Sequence, residues 1–286
     1  MASPATKTGK PTPSFHYEVT MQSRRAFIEP GATAWILDNK LTAYRFASDL
    51  GLDVPITRLV SVSHTDLELS RGTVVKPLAG IMSKGVYILG QETITDLPRN
   101  RSLPDIEALR ESIAHDLSSG DVADDAWIEE RLVFSDHDPS LPARDIKFYC
   151  FYGVVGLVLE TVRSPEVRRC WYGSDGQVVR TGKYTDRLFA GNGIPDGYIE
   201  LAKKISLSVP APFLRIDFLA SPDGPVLNEF TPKPGGASQF DARTDKRLGS
   251  LMVSAAGRLH TDLVNGQAYP EFSTARLSLR PAHAPA

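Results

Sequence analysis

The chain has 286 residues, of which 42% are hydrophobic and 23% charged, with a net charge of −2. That composition suits a globular protein with a substantial core, in one large domain or two tightly associated ones, and makes no electrostatic case for binding nucleic acid or a membrane surface. No apolar run approaches the ~18 residues of a bilayer-spanning helix, and the two cysteines, Cys150 and Cys170, fit buried thiols in a reducing cytoplasm better than a disulfide framework.

Residues 1–14 are rich in Pro, Thr, Ser and Lys and lack the apolar centre of a secretory signal; they and the tail from Arg280 are expected to be disordered. Asp38 is expected to cap a helix running to about Leu50, with Leu41, Tyr44, Ala47 and Leu50 on one face and Gly51 as its stop. Strands follow near 57–62 and 72–77, then a loop from Leu78 to Gly85 and a return strand over 86–89. A helix is expected over 103–118 and a strand over 126–134. From Asp145 the pattern becomes antiparallel, with strands at 146–152, 156–162, 167–172 and 177–180 punctuated by Tyr152-Gly153 and Ser174-Asp175-Gly176. A helix near 196–209, two apolar strands joined at Pro222-Asp223-Gly224 and a helix over 244–263 complete the chain. The sum is an α+β fold with a mixed or largely antiparallel sheet, its two lobes meeting around 133–145.

The late hairpin carries most of the chemistry. Asp217 lies between Ile216 and Phe218, and Glu229 between Asn228 and Phe230. Alternation places Arg215, Asp217 and Leu219 on one side of their strand, and Leu227, Glu229 and Thr231 on one side of the partner. Adjacent strands then aim two carboxylates into one space. Uncompensated, they would repel until one protonated, unless a cation such as Mg²⁺ sat between them. A structural ion network in which Arg215 pairs with Asp217 or Glu229 is the competing explanation.

Other positions are weaker alone. Lys76, in Thr73-Val-Val-Lys-Pro77, either snorkels to solvent or reaches into a cleft. The loop after it holds Gly80, Ser83, Lys84 and Gly85, whose N–H groups, hydroxyl and ammonium suit phosphate oxygens, although the order is not that of a Walker A loop. Glu129 and Glu130 must face opposite ways, one at the surface and one half-buried. Lys40 sits in the first turn of its helix, where the dipole disfavours a cation. A simple surface ion pair explains Asp145 and Lys147. Arg163, Arg168, Arg169 and Arg187 offer charge for an anionic substrate, with solvated surface charge the favoured reading. Six scattered histidines show no ligand spacing, and no G-x-S-x-G or G-x-G-x-x-G occurs.

The order of these parts over residues 35–250 resembles the ATP-grasp superfamily. Asp-Ile-Lys-Phe-Tyr-Cys-Phe-Tyr-Gly153 and Arg-Ile-Asp…Asn-Glu-Phe-Thr-Pro-Lys-Pro-Gly-Gly236 look most like its TupA-like branch, associated with teichuronopeptide biosynthesis. The first 35 residues leave no room for the Rossmann-like domain that precedes many ATP-grasp modules. The resemblance implies two α+β lobes clamping a nucleotide, with a largely antiparallel sheet in the C-terminal lobe. It divides the chain into an extension over 1–34, an N-terminal lobe over 35–133, a C-terminal lobe with the metal hairpin over 134–270, and a tail over 271–286. It implies ATP and Mg²⁺. Lys40 and Lys76 would contact the α/β-phosphates, and Gly80–Gly85, with Ser83 and Lys84, would form the flap. Glu129, beside Glu130, and the backbone of Arg131 and Leu132 would meet adenine, and Lys147 would join the nucleotide site. Asp217 and Glu229 would hold the metal. Thr231 stands where the superfamily often has Asn, so Asn228 or water is an alternative third ligand. Arg215 and Lys233 would steady charge during catalysis.

The implied activity is a cytoplasmic ATP-dependent ligase joining a small-molecule carboxylate to an amine, in bacterial natural-product or cell-surface polymer biosynthesis. It would form an amide or peptide through an acyl phosphate, releasing ADP and phosphate, with a homodimer left open. The alternatives are a phosphotransferase using the same ATP site and a nucleotide-binding regulatory protein without catalysis.

Overall fold

The structure, a computed structural model, describes residues 12–28, 33–79, 83–164 and 166–277. In chain order its elements are α1 (Phe15–Ile28), α2 (Lys40–Asp49), β1 (Thr57–Val62), β2 (Thr73–Pro77), β3 (Tyr87–Leu89), β4 (Ile94–Asp96), β5 (Arg101–Leu103), α3 (Ile106–Ser118) and β6 (Trp127–Arg131). There follow β7 (Arg144–Cys150), β8 (Val155–Val162), β9 (Arg168–Tyr172), α4 (Tyr198–Leu207), β10 (Leu214–Ser221), β11 (Gly224–Thr231), α5 (Ala242–Val264) and α6 (Pro270–Leu277).

The strands form two separate sheets, ordered β1-β6-β2-β3-β4-β5 and β11-β10-β7-β8-β9. Every pairing between them is antiparallel, so the mixed alternative falls away. Each sheet has its own core. Val75, Tyr87, Leu89 and Trp127 pack with Leu109 and Ile113 of α3. Phe148, Ile216, Phe218 and Leu227 pack with Phe15 of α1, Phe46 of α2, Ile205 of α4 and Leu248 of α5. The central strand β7 is buried along its whole length, so Arg144, Asp145 and Lys147 are interior residues.

Several expectations need correction. Asn39, not Asp38, caps α2, its side-chain oxygen accepting from the Thr42 N–H at 3.1 Å. Asp38 instead ends a short 3-10 turn over Thr33–Asp38. Leu41 is exposed, and Phe46 is the fully buried anchor of that helix. No strand forms over 177–180, where a lone bridge joins Val178 to Tyr172. The three-residue strands β4 and β5 are too short for alternation to reveal. Within the expected extension, α1 sets Phe15 edge-on to Phe213 in the second core, with ring centroids 4.9 Å apart. The expected disorder of residues 1–11 and 280–286 lies outside the described residues. Cys150 and Cys170 are free and buried, as read, and burial pushes the Cys150 thiol up. Among the described residues no helix is long and apolar enough to cross a membrane.

Candidate active site

On the first sheet, β2 and β6 pair so that Val74 faces Glu130 and Lys76 faces Ile128. This sets Lys76 and Glu130 on one face, 2.8 Å apart. The Tyr44 hydroxyl donates to Glu130 Oε1 at 2.8 Å and accepts from Lys76 Nζ at 2.9 Å. Burial pulls the lysine pKa down, but Glu130 and Tyr44 more than offset it, so this 6%-exposed ammonium stays charged. The snorkelling alternative for Lys76 is excluded. Lys40, the first residue of α2, donates to the Leu78 carbonyl at 3.4 Å. Burial and then the nearby Lys76 charge lower its pKa, while Glu229, Glu130 and Asp38 oppose that shift.

Glu129 turns to the opposite face. It accepts from the Leu69 N–H at 3.1 Å and the Ser70 hydroxyl at 3.3 Å, with Arg58 3.6 Å away. Both glutamates are therefore buried, where one was expected at the surface. The N–H groups of Arg131 and Leu132 are spent on the Ile56 and Gly72 carbonyls at 2.8 Å each. In the expected flap, Gly80, Ile81 and Met82 lie outside the described residues. Lys84 pairs with Asp121 at 2.7 Å, away from Lys76. Gly85 has φ +70°, and a Cβ there would meet Val122 Cγ2 at 2.7 Å. Ser83 adopts φ +60° just before it.

On the second sheet, register aligns Glu229, Asp217 and Lys147 in one row across β11, β10 and β7. A β-bulge intervenes: Asp217 pairs with Glu229 and Phe218 with Leu227, leaving Asn228 as the extra residue. Leu227 is thereby sent into the core rather than sharing Glu229's side. Asn228 reaches the Asp145 carboxylate at 3.3 Å.

The hairpin carboxylates are compensated by protein cations. Lys147 Nζ donates to Asp217 Oδ2 at 2.6 Å and lies 3.4 Å from Asp145 Oδ1. Arg215 forks onto Asp217 at 2.7 and 2.6 Å and reaches Glu229 and the Thr231 hydroxyl at 2.9 Å each. Burial raises the Glu229 pKa, but Lys147 and Arg215 outweigh it and hold the carboxyl at about 2. Arg163 completes the network, donating to Asp145 at 2.7 Å. Asp145 and Lys147 are thus an interior network rather than a surface pair. Lys233 is exposed on the loop leaving β11 and lies outside this cluster.

The donor types suit a hard divalent cation, carboxylate oxygens from Asp217 and the 42%-exposed Glu229 beside Asn228 and Thr231. Arg215 and Lys147 already engage both Asp217 oxygens, however, as the competing ion-network explanation required, so a cation would have to displace one of them. Among the described residues, no group of three or more His, Cys, Asp or Glu converges as a metal cage, so further ligands would come from substrate oxygens or water. Asp38 borders the hairpin cluster, on the turn that packs against β11. Burial and then Glu229 raise its pKa, opposed by Lys40 and Arg215. Tyr44 and Lys183 were missed from sequence. Tyr44 lies one helical turn after Lys40, and Lys183 has only its place in Thr181-Gly-Lys-Tyr184 as a signal.

Two antiparallel sheets, one carrying the buried Lys76–Glu130 pair and the other the carboxylate hairpin, are linked by α2, which packs on β11 and reaches Leu78 through Lys40; the architecture is that of an ATP-grasp fold. The chain belongs to the TupA-like ATP-grasp family, whose model matches residues 20–253. No curated protein matches it. Among solved structures it is similar to D-alanine–D-alanine ligase from Bacillus anthracis, with a TM-score of 0.48 and 13% identity over 80% of this chain and 70% of that one. The ATP-grasp ligase PsnB, complexed with a phosphomimetic variant of its minimal precursor, Mg and ADP, gives 0.44 and 15% over 83% and 61%. L-amino acid ligase from Bacillus licheniformis gives 0.42 and 16% over 76% and 46%.

Proposed function

We propose that this protein is an ATP-dependent, ADP-forming ligase that joins a carboxylate to an amine through an acyl phosphate. The observation that carries the reading is the position of Lys40: its ammonium donates to the Leu78 carbonyl just after β2, while its helix packs against β11 of the carboxylate hairpin. In this reading the ammonium groups and hairpin carboxylates line one cleft, the arrangement that an anionic nucleotide tail and a divalent cation require.

In this reading Lys40 and Lys76 hold phosphate oxygens, and the Arg131 and Leu132 carbonyls border adenine. A magnesium ion held by Asp217 and Glu229, with Thr231 or Asn228 beside them, would supply charge neutralisation between phosphate groups. The substrate carboxylate attacks the γ-phosphorus and ADP leaves; the amine then attacks the acyl carbon, loses a proton and expels phosphate. Arg215 lies where negative charge builds on the transferring group. Among the described residues of this cluster none is a nucleophile, in keeping with a reaction driven by positioning and charge. The pathway is that of bacterial small-molecule or cell-surface polymer assembly, and the protein works in the cytoplasm.

Glu229→Gln tests this. The expected result is a folded variant whose stability falls by no more than about 1 kcal/mol, with ADP release from Mg-ATP lost across a panel of carboxylates and amines. Wild-type ADP release by the variant removes the metal assignment, and a stable phosphorylated acceptor in place of an amide favours a phosphotransferase. A second reading, a nucleotide-binding regulator, draws on Thr231, whose hydroxyl Arg215 already engages. Binding of ADP without turnover on any pair would favour it.

A further inference from the structure

Almost every buried charge in the second sheet has an opposite charge against it: Arg144 has Glu160 and Asp136, Lys147 has Asp217, and Arg163 has Asp145. Lys183, buried on the loop after β9, and Arg169, half-buried on β9, do not. Lys183 is 2% exposed, yet no carboxylate pairs with it among the described residues. Its ammonium donates to the Gly235 carbonyl, on the loop that leaves the carboxylate hairpin, and packs on aromatic faces. It lies 4.8 Å from the Tyr184 ring centroid and 5.1 Å from that of Phe240. The Arg169 guanidinium lies 4.3 Å from the same Tyr184 ring, with no carboxylate in ion-pair contact among the described residues, Asp186 acting on it only from further off.

Burying one cation beside a second, half-buried one, with no anion in contact with either, is costly. Burial, then Arg215 and Arg169, bring Lys183 down to about 7, and burial lowers Arg169 as well. The local backbone is held to that arrangement. Tyr184 adopts φ +57°, an uncommon conformation for a tyrosine, and the Trp171 indole N–H fixes the Lys183 carbonyl at 3.0 Å.

The register locates the pair. Asp217, Lys147, Leu159 and Trp171 form a row across β10, β7, β8 and β9, and Arg169 lies two residues from Trp171 on the same face. Three strand spacings, about 14 Å, separate that row's ends, and the Lys183 ammonium reaches back to the Gly235 carbonyl on the loop that leaves the hairpin. The charge of Arg215 acts on Lys183, so the cation pair borders the Arg215–Asp217–Glu229 centre.

We propose that Arg169 and Lys183 form a subsite for a substrate carboxylate that does not react, so that this ligase selects a substrate carrying an anionic group besides the one being joined. The inference rests on the ligase reading and narrows its substrate class. Arg169 supplies a planar fork for the carboxylate and Lys183 a buried point charge, while the Tyr184 ring holds the two cations in register.

The test compares acids that differ only in the second charge, succinate against butyrate and aspartate against asparagine. Binding to the full-length protein is measured calorimetrically in the presence of Mg-ADP, with ADP affinity measured separately. Wild type is expected to bind the dianionic member of at least one pair tenfold or more tightly. Arg169→Gln is expected to abolish that preference while ADP affinity stays within twofold, and Arg169→Lys to restore part of it. Lys183→Met provides an independent variant with the same expected loss. A wild type that binds ADP but prefers no dianion overturns the subsite, as does a preference that survives in Arg169→Gln and Lys183→Met. Variants that lose ADP affinity instead assign these cations to the nucleotide and also overturn it. A wild type that does not bind ADP removes the underlying ligase reading.

Discussion

Lys147 and Asp217 sit directly opposite each other on β7 and β10, and the lysine ammonium donates to Asp217 Oδ2 at 2.6 Å. Asp217 is fully buried and the Lys147 side chain is 10% exposed, so neither charge is paired by water. The contact settles a question left by the sequence, namely what neutralises a carboxylate inside an apolar strand: protein cations do so before any ligand arrives.

Removing one partner of such a pair strands the other. Lys147→Met is expected to lower unfolding stability by about 2–4 kcal/mol, since Arg215 still contacts Asp217 and recovers part of the loss. Urea midpoints with an unchanged slope check this. The double variant with Asp217→Asn should be more stable than Lys147→Met alone.

The opposite sign is expected at Lys183. Its folded pKa of about 7 lies below the ordinary 10.5, so the native state holds fewer protons than the unfolded chain between those values. Wild-type stability should therefore rise with pH across that window, the penalty being complete below pH 7. The groups facing the ammonium are Arg215 of β10, Arg169 of β9, the Tyr184 and Phe240 rings and the Gly235 carbonyl. Lys183→Met should gain roughly 3 kcal/mol over wild type at pH 6, and the gap should close towards pH 10. Thermal unfolding at a series of pH values reads this directly.

Glu229 behaves conversely, with a folded pKa of about 2 below the ordinary 4.5. Its contribution is present above pH 4.5 and is lost as pH falls towards 2. The 42% exposure of its side chain limits that contribution to about 1 kcal/mol. Glu229→Gln should accordingly show a shallower loss of stability than wild type between pH 4.5 and 2.

Tyr44→Phe removes a hydroxyl while keeping the ring. Lys76 and Glu130 remain 2.8 Å apart, so the fold should lose only about 1 kcal/mol. Because the hydroxyl also orients Lys76, ADP affinity should fall several-fold, which calorimetry would detect.

Gly85→Ala meets two obstacles, a φ of +70° and a Val122 methyl 2.7 Å from the new Cβ. The expected cost is about 2–3 kcal/mol. Gly120→Ala, at φ +75° with nothing within 4 Å, should cost about 1 kcal/mol and isolates the backbone share. Denaturant titration of both variants separates strain from collision.

Much of the second lobe was legible because β7, β8, β10 and β11 carry strong apolar runs and clear turn residues. The carboxylate row followed from alternation alone. The bulge did not, since alternation places Leu227 beside Glu229, whereas the burial of both Leu227 and Phe230, three residues apart, requires an extra residue between them. The resemblance assigned Glu129 to adenine; strand parity sets Glu130, not Glu129, on the face of Lys76, which is readable only once Lys76 is known to pair across from Ile128. Lys183 lay in an irregular loop, where no periodicity reports burial. The cap of α2 fell one residue late because Asp38 and Asn39 are both good capping residues, and the preceding 3-10 turn consumes the first.

Helix α2 is rooted through Phe46 in the core of the second sheet, yet its first residue touches the Leu78 carbonyl beyond the first sheet. Rotation of one sheet away from the other would carry Lys40 off with its helix and leave Lys76 behind. The helix thus carries an ammonium to the edge of one sheet while its apolar weight stays in the core of the other, which ties the spacing of Lys40 and Lys76 to the seating of the two sheets.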